Sequence, residues 1–412
     1  MIKKYTCKNG VRIILEEMPI LRSVAIGIWV KTGSRNESPE INGISHFIEH
    51  MFFKGTKSRS AKEIAESFDR IGGQVNAFTS KEYTCFYAKV LDTHASYALE
   101  VLSDMFFNSV FDEKELEKER KVVLEEIKMY EDTPDDIVHD LLSKAIYENH
   151  PLGYPILGTE ETLQSFTNDM LKQYIHSTYT PENVVISVAG NITDSFIQEI
   201  EDIFGSYEAG TAEDKKMKPV FNKNCLTRKK DTEQVHLCLG FEGLPIGSDD
   251  IYHLIIANNI LGGSMSSRLF QEVREQKGLA YSIFSYHSSF EDSGIVAIYG
   301  GTGADQLDLL FDTIQYTLDT FVHDGITEKE LINTKEQLKG NLMLGLEGTN
   351  SRMSRNGKNE LLLGEHRTPD QMIELIDSIT KEDVNRMAKR IFTKEFSVAL
   401  ISPDGKLPKA LQ

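Results

Sequence analysis

Cysteine is scarce: Cys7, Cys85, Cys225 and Cys238 are the only four in 412 residues, and no two stand in a C-x-x-C pair. That spacing excludes a disulfide framework or a cysteine-based zinc ribbon, and the four read as buried free thiols of a reducing compartment. Basic residues are in deficit, 45 Lys and Arg against 63 Asp and Glu, for a net charge of −18. A surface that must neutralise phosphates needs the opposite balance, so nucleic acid is not an expected partner. The charge suits cationic peptides, although solubility accounts for it equally well. No apolar run approaches membrane-spanning length, and Met1 to Gly10, with Lys3 and Lys4, lacks the apolar core of a signal peptide. A chain starting at Met1, resident in the cytoplasm and without a membrane partner, is the expectation. Gly300-Gly301-Thr302-Gly303 is followed by no Gly-Lys-Ser/Thr, so it is not a phosphate loop.

What the chain does have is an ordinary globular composition, 40% hydrophobic and 26% charged, over a length that suits two domains of about 200 residues each. Strand patterns run over 11–17 and 23–31, the second alternating Val24, Ile26, Ile28 and Val30 with Ser23, Ala25, Gly27 and Trp29. Helical patterns follow at about 61–71, 93–108, 113–131, 134–147, 167–179 and 194–204. Strands are expected at 74–79, 84–91 and 183–190. Strand pairs alternating with helix pairs predict an α+β fold of mostly antiparallel sheets covered by helices. Residues 206–223 lack periodicity and read as a linker between domains at 1–205 and 224–412. Beyond it the sequence echoes itself. Glu113-Lys114-Glu115-Leu116 recurs 215 residues on as Glu328-Lys329-Glu330-Leu331, and Ser187-Val188-Ala189 recurs as Ser397-Val398-Ala399. Two homologous domains are expected.

The chemistry concentrates in Ile44-Ser45-His46-Phe47-Ile48-Glu49-His50-Met51. On a helix, residues 46, 49 and 50 share one face, and imidazoles at i and i+4 can grip one Zn²⁺. Glu49 stands beside both without being needed as a ligand, placed to take a proton from an attacking water. Asn42 and Ser45 are candidate caps for the start of this helix and Gly55 for its stop. A catalytic zinc needs a third protein ligand, and the helical stretch 113–131 offers several glutamates. Glu119 and Glu126 lie two turns apart on one face, with Glu125 about 100° away.

The motif His46-x-x-Glu49-His50 with a glutamate at 126, preceded by another at 119, resembles the pitrilysin/insulinase family of zinc peptidases with the inverted H-x-x-E-H motif. More closely it is similar to half-length members related to mitochondrial processing peptidase. The likeness continues through Met51-Phe52-Phe53-Lys54-Gly55-Thr56, Asn76-Ala77-Phe78-Thr79 and the pair Arg274 and Tyr281. It implies a zinc metalloendopeptidase for peptides or unfolded segments, with one Zn²⁺ per chain on His46, His50 and Glu126, and Glu119 holding a ligand histidine. It also implies an edge strand at Asn76, Ala77 and Phe78 to which substrate adds, a role for Arg274 and Tyr281 on the substrate backbone and developing oxyanion, and a homodimer that completes each site. The alternatives are a non-catalytic subunit of the same fold or a peptidase dedicated to one precursor. The second half, with Thr334 and Asn341 where the first has Glu119 and Glu126, is expected to hold no metal.

Overall fold

Runs of β-branched and aliphatic residues in 23–30, 184–190, 235–242 and 294–302 are too apolar for a sheet with one wet face, and each becomes a central strand buried on both sides. The computed structural model describes residues 2–208, 210 and 217–412, so most of the expected linker core, at 209 and 211–216, lies outside the described residues. The strands are β1 (Ile2–Thr6), β2 (Arg12–Glu17), β3 (Ser23–Val30), β4 (Gln74–Thr79), β5 (Thr84–Leu91), β6 (Val184–Gly190), β7 (Cys225–Lys229), β8 (Val235–Glu242), β9 (Ala280–Ser289), β10 (Gly294–Thr302) and β11 (Ser397–Ser402). They form two sheets, ordered β1-β2-β6-β3-β5-β4 and β7-β11-β8-β10-β9.

Apart from β1, the two orders are the same pattern. Each begins with a parallel pair, β2 with β6 and β7 with β11. Antiparallel pairs then complete both sheets. This is the α+β, internally repeated architecture that the echoes predict. Helix boundaries follow the pattern closely, with Glu113–Glu131 and Pro134–Tyr147 as expected. Strands β1, β7, β9 and β10 are additions to the sequence reading, and β1 and β7 carry no apolar run.

The chain falls into two compact units that interleave in sequence. Unit 1 comprises the described residues of Met1–Lys128, Tyr154–Lys216 and Leu344–His366, and unit 2 those of Met129–Gly153, Met217–Met343 and Arg367–Gln412. Within unit 1, one sheet face packs on the helices Ile44–Met51 and Ala95–Asn108 through residues such as Phe47, Phe52, Leu99 and Phe106. The other face packs on helix Thr349–Leu362, where Met353 and Leu361 join Ile14, Ala25 and Trp29. Trp29 donates from Nε1 to Met353 Sδ at 3.4 Å. Gly357 is required there, because a Cβ would overlap the indole ring. In unit 2 the corresponding cover is helix Pro134–Tyr147, whose Ile137, Val138, Leu142 and Ile146 meet Cys238, Ala297 and Ala399.

Cys7, Cys85 and Cys238 are buried and free, as expected, but Cys225 is exposed. Its strand β7 lies at a sheet edge and alternates exposed with half-buried residues, so the cysteine at its first position faces outward. No described helix is long and apolar enough to cross a membrane.

Candidate metal centre

The helix Ile44–Met51 forms as its motif predicts, but it starts differently. The expected caps do not cap it. Its N-cap is Gly43 at φ +93°, and the side chain that receives the free helix amides is Glu37, fully buried in the preceding loop. Glu37 Oε2 accepts from the Gly43 amide at 2.7 Å and from Asn42 Nδ2 at 2.9 Å, and its Oε1 accepts from the Ser45 amide at 2.9 Å. Ser45 Oγ is spent on the Tyr174 hydroxyl at 3.0 Å. A carboxylate at a helix N-terminus satisfies amide donors and opposes the helix dipole. Burial pushes the Glu37 carboxyl above its ordinary range, against those hydrogen bonds. The helix closes at Phe52, ahead of Gly55.

His46 and His50 face the same way, their Nε2 atoms 3.2 Å apart. Glu126 Oε2 reaches 3.8 Å from His46 Nε2 and 3.6 Å from His50 Nε2. These three residues are the one group of His, Cys, Asp or Glu among the described residues whose donor atoms converge this closely. Ligands bound to tetrahedral zinc at about 2.0–2.2 Å stand about 3.3–3.5 Å from one another, so the triangle is close to the size the ion requires. Glu126 Oε2 is also buried without a hydrogen-bond partner. An acceptor that has no hydrogen-bond partner and faces two imidazole nitrogens is the arrangement a cation satisfies. Among the glutamates left open by the sequence, Glu119 instead accepts from His50, its Oε1 lying 2.8 Å from Nδ1, and Glu125 pairs at 2.7 Å with Lys128 on the exposed helix surface.

The surroundings shift these groups in different directions. Burial, with the neighbouring His50, drives the His46 imidazole down to about 3, so it is neutral at ordinary pH. Burial also lowers His50, but the Glu119 hydrogen bond and the charges of Glu126, Glu119 and Glu49 outweigh it and raise the net value. Burial works to raise Glu119, yet His50 and Lys54 hold it below the ordinary carboxylate range. For Glu49, burial wins and the carboxyl is raised, while Thr79 Oγ1 donates to its Oε2 at 2.6 Å. Thr79 and Lys54, which pairs with Glu119 at 2.6 Å, are site residues that no spacing argument singled out as partners. Both stood inside motif stretches, but only tertiary proximity gives them their contacts.

Asn76, Ala77 and Phe78 lie on β4, an edge strand of the first sheet that pairs with β5 alone. The Ala77 amide points away from β5 and is held by Asn76 Oδ1 at 2.8 Å. Phe78 packs edge-on against Trp29 at 5.6 Å. Arg274 and Tyr281 belong to unit 2, not to the unit that carries the histidines. The structure does bring these two together: the guanidinium lies 4.7 Å over the Tyr281 ring and 4.8 Å over Phe270. Tyr281 is 78% exposed. Arg274 sits in a π-helical segment, Phe270–Gln276, where a regular charged helix is the simplest sequence reading. Such segments widen a helix by one residue per turn and recur at functional sites. Thr334 and Asn341 lie on the helix Glu328–Gly345, and no metal-capable group forms there among the described residues.

Comparison with known proteins gives the family. Residues 12–160 match the family described as insulinase, peptidase family M16, and residues 165–338 match the peptidase M16 inactive domain. The uncharacterized zinc protease YmxG of Bacillus subtilis is 69% identical over 408 residues, covering 99% of this chain and all of that one. An uncharacterized zinc protease of Streptomyces coelicolor is 38% identical over 98% of this chain and 90% of its own length. Among solved structures, a protease from Helicobacter pylori superposes with a TM-score of 0.91 at 22% identity, over 98% of this chain and 99% of that one. A peptidase M16 inactive domain from Pseudomonas fluorescens superposes at 0.92 with 19% identity, over 99% of both chains, and these two likenesses speak for the fold. With a 69%-identical relative spanning its whole length and two successive domain matches, this chain belongs to the insulinase family of peptidases, M16.

Proposed function

We propose that this M16 zinc protease binds one zinc ion per chain through His46, His50 and Glu126 and cleaves peptides or unfolded segments internally, as an endopeptidase. The observation that carries the assignment is Glu126 Oε2, buried, without a hydrogen-bond partner, and facing the Nε2 atoms of both histidines. When bound, zinc supplies a Lewis acid that polarises the scissile carbonyl and acidifies water. Glu49 takes the proton of the attacking water and returns it to the leaving amine, and Thr79 holds one of its oxygens so that the other faces the reaction. Glu119 accepts a hydrogen bond from the Nδ1–H of His50, which leaves Nε2 free as a ligand. Substrate adds to the open side of β4 at Asn76, Ala77 and Phe78, exchanging the Asn76 side chain on the Ala77 amide for its own carbonyl. An edge-strand mode demands an extended chain, so peptides and unfolded segments are the substrate class.

The finer assembly is part of the same proposal. Arg274 and Tyr281, stacked and with the tyrosine largely exposed, act on the zinc site of a second copy in a cytoplasmic homodimer. The duplicated copies at 1–205 and 224–412, joined at 206–223, are the units of descent, a reading supported by the shared strand order of the two sheets. Metal analysis of Glu126→Gln tests the centre of the proposal: wild type should hold about one zinc per chain and the variant far less, whereas full occupancy in the variant would assign the third ligand elsewhere.

A further inference from the structure

From the contacts of Glu119 we infer that Lys54 is a positioning residue for the zinc site, setting metal affinity through Glu119 and His50. The inference rests on the ligand assignment above. Glu119 is almost completely enclosed, its side chain 5% exposed, and its two oxygens are divided between two partners: Oε1 lies 2.8 Å from His50 Nδ1 and Oε2 lies 2.6 Å from Lys54 Nζ. Lys54 stands in the turn after the metal helix, its amide bonded to Met51 O at 3.1 Å, so its backbone is fixed relative to both histidines. Its side chain crosses to helix Glu113–Glu131, the helix that also carries Glu126 two turns further on. The chain of contacts from Lys54 through Glu119 to His50 therefore ties the element bearing two ligands to the element bearing the third. It also fixes the tautomer of His50, since Nδ1 must donate if Oε1 is to accept.

Two effects of Lys54 on a bound dication oppose each other. Its charge repels the metal, and removing it should tighten binding if charge were all that mattered. Its hydrogen bond orients a buried carboxylate that would otherwise keep one oxygen without a partner and turn to find one, taking His50 with it. The geometry assigns the larger effect to orientation, because Glu119 is enclosed and the contact is short. Loss of such outer partners typically weakens metal affinity by about 10- to 100-fold.

The test is zinc affinity, measured by competition with a chromophoric chelator at fixed pH and ionic strength. Wild type, Lys54→Met, Lys54→Arg, Glu119→Gln and the double variant Lys54→Met/Glu119→Gln are compared. Lys54→Met should bind zinc about 10- to 100-fold more weakly. Lys54→Arg, which keeps a donor and a charge, should recover most of that. In the Glu119→Gln background the Lys54→Met change should cost little more, because the partner it acts through is gone. Unchanged or tighter binding by Lys54→Met, an arginine variant as weak as the methionine one, or an equal loss in both backgrounds would each overturn the inference, the last because it marks general damage to the fold. Failure of the ligand assignment reads differently: wild type without stoichiometric zinc, or Glu126→Gln binding as tightly as wild type, whatever Lys54 does.

Discussion

Replacing Gly43 by alanine should damage the start of the metal helix in a way that can be separated into parts. Gly43 has φ +93°, and a Cβ built there would stand 2.7 Å from Gly158 Cα and 2.8 Å from Leu157 O. Those are backbone atoms, which cannot rotate aside. The positive φ costs an L-residue roughly 1–2 kcal/mol, and the lost flexibility of the unfolded chain returns about 0.4–1. Forcing a methyl into packed backbone adds roughly 1–3 kcal/mol. The variant should therefore lose about 1–5 kcal/mol. Gly72→Ala is the matched control, since Gly72 has φ +63° with nothing within 4 Å of the new Cβ, so only the first two contributions apply. Trp29 is the one tryptophan of the chain and is buried in unit 1, so its fluorescence during urea unfolding follows the unit that contains both glycines. The clash should appear as a lower midpoint for Gly43→Ala than for Gly72→Ala in chelator. It should also appear as weaker zinc binding, since the displaced helix start carries His46. Equal midpoints and unchanged zinc affinity for the two variants would refute the idea that the contact with residues 157–158 sets the helix position.

Glu49→Gln should retain one zinc per chain yet lose about 10²- to 10⁴-fold in kcat, the worth of a positioned general base; loss of the metal would instead make Glu49 structural. Mixing Glu49→Gln chains with Tyr281→Phe chains under verified subunit exchange should restore roughly a quarter of wild-type peptidase activity if sites are shared in trans and independent, because each mixed dimer regains one intact site. A mixture no more active than its parents would exclude that arrangement. The metal-free protein should lose stability on acidification through His46: its folded value of about 3 lies below the ordinary 6.5, so the unfolded chain binds the extra proton between those values. The stability this group contributes is intact above about pH 6.5 and falls toward pH 3, by an amount on the order of a few kcal/mol, and His46→Ala should flatten that part of a pH series of urea midpoints.

Much of the site was legible in local pattern. His46, Glu49 and His50 share a face because of the helical period alone, and residues 44–51 do form a helix. The same period put Glu119 and Glu126 on one side of the helix 113–131, and strand alternation with internal echoes foretold two similar sheets. Periodicity orders residues along an element but says nothing of which element a side chain will face. By period alone Glu119 and Glu126 were therefore equivalent candidates, with Glu125 about 100° away, and only the family resemblance favoured Glu126; in the structure one oxygen of Glu126 faces the imidazoles, while Glu119 goes to His50 and Lys54. The cap from Glu37 and the Thr79 bond to Glu49 are contacts between separate segments and leave no trace in spacing. Nor does sequence order reveal that helix Pro134–Tyr147 covers the sheet of unit 2 and helix Thr349–Leu362 that of unit 1. An apolar helix face specifies that it must be buried, while the sheet that buries it is chosen by shape, as where Gly357 leaves room for the Trp29 ring.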